Sequence, residues 1–120
     1  MLSIKEISEK LTFIFEQNGV SKAILFGSYA NGTATDDSDI DIMVETDPHI
    51  RGYKFVALVR PILDALNIEE MDLISSRSVV PDGPIAIEIQ KTGVVIYERK
   101  RPFEVKGDTK NDKTKRDIKK

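Results

Sequence analysis

Apolar residues recur at helical spacing near the start of the chain, at Ile4, Ile7, Leu11 and Ile14, and predict an amphipathic first helix. Ser3 and Glu6 have the spacing of a capping box at its start, and Gly19 is placed to stop it. The period then shortens. Lys22 to Phe26 reads as a short apolar strand, and Ser38 to Glu45 as a second, broken by Asp47-Pro48. A second helical stripe, Phe55, Leu58, Ile62 and Leu66, runs from about Tyr53 to Leu66, with Pro61 inside it to kink or divide it. Glu69 to Ser75 predicts a third strand, with Met71 and Leu73 on one face and Glu70, Asp72 and Ile74 on the other. Asp82 to Lys91 alternates at Ile85, Ile87 and Ile89. Asp82 as a cap, Pro84 near the start and Gly93 past the end nevertheless favour a helix. Val94 to Tyr97 is a fourth strand. Strands interleaved with helices predict a small α/β domain, a mixed sheet of about four strands packed with helices.

The stretch between the first two strands carries the chemistry. On a strand, Asp39 and Asp41 share one face while Ile40, Ile42 and Val44 share the other. Burying the apolar face leaves two carboxylates close together, which call for a compensating cation. Oxygen-only ligands suit a hard ion, Mg²⁺ first if phosphates share the site. Gly27 lets a phosphate approach the backbone, and Ser28 can cap a short turn, Ser-Tyr-Ala-Asn, that Gly32 ends. Free amides there would point at an anion. A phosphate cradle beside metal-binding carboxylates implies a nucleoside triphosphate, and with it phosphoryl or nucleotidyl transfer.

Two other motifs share parts of this pattern and fail. Gly27 and Gly32 have P-loop spacing, but Thr33 stands where that motif requires lysine. Asp37, Asp39 and Asp41 open like an EF-hand loop, yet Ile42 replaces its glycine and Pro48 its terminal glutamate.

Gly27-Ser28, ten residues, then Asp39-Ile40-Asp41 resembles the signature of the DNA polymerase β nucleotidyltransferase superfamily. The fuller run GSYANGTATDDSDIDI is similar to the minimal nucleotidyltransferase (MNT) family, whose members pair with HEPN-type toxins, and the likeness extends from about Ile4 to Tyr97. The resemblance implies a third acidic residue on a later strand, which Asp72 matches. It implies two Mg²⁺ ions held by Asp39, Asp41 and Asp72, with Gly27 and Ser28 holding the β- and γ-phosphates of ATP. An acceptor hydroxyl would attack the α-phosphate and pyrophosphate would leave, Asp72 being placed to take the hydroxyl's proton. The implied acceptor is a tyrosine of a HEPN-type ribonuclease toxin, so that the chain serves as an antitoxin. The alternatives are an antitoxin that neutralises by contact alone, or a small-molecule nucleotidyltransferase of the aminoglycoside type. The chain departs from the family at Asn31, where arginine is frequent. Arg77 and Lys91 are candidate replacements for the lost phosphate contact. Ser38 is expected to support its turn, His49 to lie at the surface, and Tyr29 to pack on either the core or the nucleotide.

Charge divides the chain. Residues 1–98 carry 8 Lys and Arg against 16 Asp and Glu, whereas residues 99–120 carry 10 against 4. The acidic body is not expected to bind nucleic acid directly. The tail is poor in large apolar residues and is expected to be disordered, leaving residues 1–98 as the nucleotidyltransferase domain. No apolar run approaches membrane-spanning length, and the N-terminus has no signal-peptide hydrophobic region. The absence of cysteine agrees with an expected cytoplasmic location.

Overall fold

A computed structural model describes residues 1–100. In chain order these form α1 (Ile4–Gln17), β1 (Val20–Phe26), α2 (Ser28–Asn31), β2 (Asp41–Thr46), α3 (Tyr53–Val56), α4 (Val59–Leu66), β3 (Asp72–Ser75), a 3₁₀ turn (Ser76–Ser78), α5 (Pro84–Thr92) and β4 (Val94–Glu98). The sheet order is β3-β2-β1-β4. β1 pairs antiparallel with β2 and β4, and β2 pairs parallel with β3, so the sheet is mixed and open. The expected disorder of the tail lies outside the described residues.

The capping box forms as expected. The Glu6 amide donates to Ser3 Oγ at 3.1 Å, and the Ser3 amide donates to Glu6 Oε1 at 2.8 Å. Ile7, Leu11 and Phe15 then bury one stripe of α1, with Phe15 instead of Ile14 completing it. They meet Ala23, Leu25, Ile42, Val44 and Ile96 from the sheet and Leu58, Ile62 and Leu66 from the α4 region in one core. Ile40, Ile42 and Val44 are buried in the core shared with α1 as expected, and Met43 on the other face of β2 is buried as well.

Several bounds differ from the sequence reading. β2 begins at Asp41, not Ser38, because Ser38 is committed to a turn. Its amide donates to the Thr35 carbonyl at 3.0 Å and its hydroxyl accepts from the Thr35 amide at 2.8 Å. β3 begins at Asp72, whose amide donates to the Ile40 carbonyl at 2.9 Å. The helix expected over 53–66 is divided. Pro61 sits in the first turn of α4, where its missing N–H costs nothing, and the break falls at Ala57–Leu58. Gly83, not Asp82, occupies the cap position of α5. Among the described residues no helix is long and apolar enough to cross a membrane.

Candidate functional site

Three chain segments end at the same edge of the sheet. Phe26 closes β1, Asp41 opens β2 and Asp72 opens β3, with Phe26 opposite Asp41 and Asp41 beside Asp72 in register. Same-register neighbours in a parallel pair project from the same face, so the Asp41 and Asp72 carboxylates lie side by side, one strand spacing apart. Asp39 precedes the strand and is exposed. The face that carries them is opposite the one packed on α1.

α5 lies on this second face and adds a fourth carboxylate, Glu88. Burial raises the Asp41 carboxyl most. The hydrogen bond and charge of Asp72 add to this, then the charges of Asp39 and Glu88, and together they push it up to about 6. A protonated Asp41 can donate to the Asp72 carboxylate, which is how two acids this close share a site. Among the described residues the ion pairs are Arg60–Asp64 and Arg99–Asp47, so no salt bridge offsets this cluster.

The donors are all carboxylate oxygens, the set a hard divalent cation prefers. In this geometry no three of them close into a cage. The match therefore lies in charge and donor type, with the carboxylates adjacent and short of a positive partner.

Above them sits the Gly27 turn. Gly27 has φ +78°, and a Cβ there would lie 2.5 Å from Asp41 Oδ2. Any other residue would collide with the carboxylate it covers. Gly27, not Ser28, is the N-cap of α2, and it has no side chain to cap with. Ser28 therefore stands at the first helical position. The Gly27 amide is not free, because it donates to Thr92 Oγ1 at 2.9 Å. The amides of Ser28 and Tyr29 find no acceptor among the described residues and are the donors left to meet an anion.

The remaining candidates separate clearly. Asn31 Oδ1 accepts from the Thr33 amide at 3.0 Å and the Thr33 hydroxyl at 2.6 Å, so it shapes its own loop. Arg77 lies at the far end of β3, donating to Thr46 Oγ1 and to the Thr46, Asp47 and Ile50 carbonyls at 3.0–3.2 Å. It is a structural clamp and not a phosphate ligand. Lys91 is exposed in the last turn of α5. Tyr29 packs against the core, and His49 is exposed in a turn.

Glu88 and Thr92 were not found from sequence. A glutamate and a threonine at i and i+4 on a helix carry no motif, and only the path of α5 over the sheet places them here.

Residues 9–102 match the polymerase beta nucleotidyltransferase family. The protein adenylyltransferase MntA of Thermococcus cleftensis is 36% identical over 83 residues, which span 66% of this chain and 83% of that protein. A relative from Methanocaldococcus jannaschii is 34% identical over 82 residues, 67% of this chain and 85% of its own. Among solved structures, a chain of a toxin–antitoxin complex with AMP-PNP superposes with a TM-score of 0.64 at 24% identity, covering 78% of this chain and 74% of that one. A chain of a complex between a tri-AMPylated Shewanella oneidensis HEPN toxin and an MNT antitoxin gives 0.60 at 20% identity, covering 80% and 73%. At these identities the structural likenesses establish the fold.

Proposed function

The chain belongs to the polymerase beta nucleotidyltransferase family, and we propose that it transfers AMP from ATP, with Mg²⁺, to a tyrosine hydroxyl of a partner protein. The observation that carries this reading is the Asp41–Asp72 pair beneath the Gly27 turn, joined by the charges of Asp39 and Glu88 and, among the described residues, paired with no cationic side chain. The adenylyltransferase name of the Thermococcus relative supports the choice of AMP and of a protein acceptor. The HEPN toxin–MNT antitoxin complexes that share the fold suggest a HEPN-type ribonuclease toxin as that acceptor, with this chain as its antitoxin.

Asp39, Asp41 and Asp72 would hold the metal ions. Bound Mg²⁺ would offset their charge and that of the triphosphate, and stabilise the entering and departing oxygens. The Ser28 and Tyr29 amides, with the Ser28 hydroxyl, would hold the β- and γ-phosphates, while Gly27 leaves room for their approach. Asp72 would accept the proton of the attacking hydroxyl as its oxygen bonds to the α-phosphorus and pyrophosphate departs. The site is open on the sheet's second face, so the partner's surface would have to complete it and exclude water.

The test is incubation of the full chain with labelled ATP, Mg²⁺ and a candidate HEPN-type toxin, followed by mass spectrometry of both proteins. An AMP adduct on a partner tyrosine, lost in Asp72→Asn, is expected. Full neutralisation of the partner with no adduct would assign the chain to antitoxins that act by contact.

A further inference from the structure

The end of α5 is joined to the phosphate turn through a single hydroxyl. Thr92 Oγ1 accepts from the Gly27 amide at 2.9 Å and donates to the Glu88 carbonyl at 2.9 Å, with Glu88 Oε2 farther off at 3.4 Å. A threonine has one hydroxyl proton. The shorter carbonyl contact is the better place for it, so the hydroxyl holds the Glu88 carboxylate only weakly. The helix end that carries Thr92 is itself held closely. A Cβ on Gly93 would lie 2.5 Å from the Ile89 carbonyl of α5 itself and 3.0 Å from Ile24 Cγ2 on β1, so glycine lets the chain leave α5 in this conformation with Ile24 packed close against it. β1 in turn ends at Phe26 and delivers Gly27.

We infer that Thr92 is a positioning residue, a latch that holds the Gly27 turn at one depth over Asp41 and turns the Ser28 and Tyr29 amides toward the triphosphate. This rests on the nucleotidyltransferase reading above. Gly27 needs such a latch because, lacking a Cβ, it has many backbone conformations open to it besides the φ +78° it adopts here. The latch also removes the Gly27 amide from phosphate binding. That amide serves the fold and its two successors serve the ligand.

The experiment compares the full-length wild type with Thr92→Val, Thr92→Ala and Thr92→Ser. Amide hydrogen exchange at Gly27 and calorimetric binding of α,β-methylene-ATP with Mg²⁺ are both measured. Removal of the hydroxyl in Val or Ala should speed Gly27 exchange about tenfold and weaken nucleotide binding about five- to tenfold, the range of one hydrogen bond. Thr92→Ser keeps the hydroxyl and should restore both to within about twofold of wild type. Carrying Val and Ala together guards against one of them failing to fold. Wild-type exchange and affinity in both hydroxyl-less variants would overturn the latch, as would Ser behaving like Val. A wild type that is protected at Gly27 yet binds no nucleotide would overturn the functional reading, while the exchange data would still judge the latch.

Discussion

The two ends of the β2–β3 pair use the same residue types to opposite purposes. Asp47, just past the end of β2, receives both nitrogen-to-oxygen contacts of Arg99 Nη2 at 3.0 and 3.1 Å, and Arg77 satisfies three carbonyls and a hydroxyl around it. About 20 Å away along the strand, Asp41 and Asp72 stand side by side with Asp39 and Glu88 near, and Asp41 is driven up to about 6. Among the described residues, charge is neutralised at the end that holds the sheet together and left without an ion pair at the end proposed to take the nucleotide. A carboxylate's neighbours, more than its identity, decide whether it contributes to stability or to chemistry.

Replacing Asp39 and Asp41 together by Asn tests the contrast most strongly. Transfer should fall by at least about a thousandfold, as expected for loss of metal ligands. The metal-free fold should be as stable as wild type or more so, because two repelling charges are gone. Radiolabel transfer and thermal melting of the same samples measure both. Melting well below wild type would mean that these aspartates hold the fold together.

At the other end the roles reverse. Arg77→Ala strips four hydrogen bonds, three to backbone carbonyls and one to the Thr46 hydroxyl, and should cost about 1–2 kcal/mol of stability, read by denaturant unfolding. Binding of ATP with Mg²⁺ per folded molecule should not change. A selective loss of nucleotide affinity would return Arg77 to the site.

Acid should sharpen the contrast further. The Asp41 carboxyl is raised from an ordinary 3.8 to about 6 in the folded chain, so the folded state binds the proton more tightly than the unfolded one. Its contribution is fully present below 3.8 and is lost as pH rises through about 6. The metal-free protein should therefore gain stability as pH falls from 7 towards 5, by about 1 kcal/mol once solvent screening is allowed for. Asp41→Asn should abolish this gain, and saturating Mg²⁺ at pH 7 should raise the wild-type melting temperature but not that of the variant. A wild-type melting curve that only worsens below pH 7 would refute the assignment.

The smallest effect is expected at Arg99–Asp47. The pair is about one-third exposed. Arg99→Gln should cost less than about 1 kcal/mol, and the loss should shrink in high salt. A larger, salt-insensitive cost would show that the backbone bond from the Arg99 amide to the Ser21 carbonyl at 2.9 Å had been lost as well.

What the sequence alone determined about this protein is what a single element encodes. Alternation along one strand places Ile40, Ile42 and Val44 inside, and leaves Asp41 outside, whatever lies around it. Ser3 with Glu6 closes a cap within four residues, and Gly27 and Asp41 mark the site through a motif read in one short run. The ambiguous stretch at 82–91 was legible as a helix from Asp82, Pro84 and Gly93, despite isoleucines spaced for a strand. Ile85 and Ile87 in fact remain partly exposed. Only the tertiary structure decided which charges met. Glu88 lies 47 residues from Asp41 and Thr92 lies 65 from Gly27, and α5 brings both to the site by crossing the sheet's second face. Arg77, two residues beyond a strand that begins at the site, was carried to the opposite end by the direction of β3. Periodicity fixes the face of an element, but proximity between distant elements depends on packing and on chain direction, which no local pattern records.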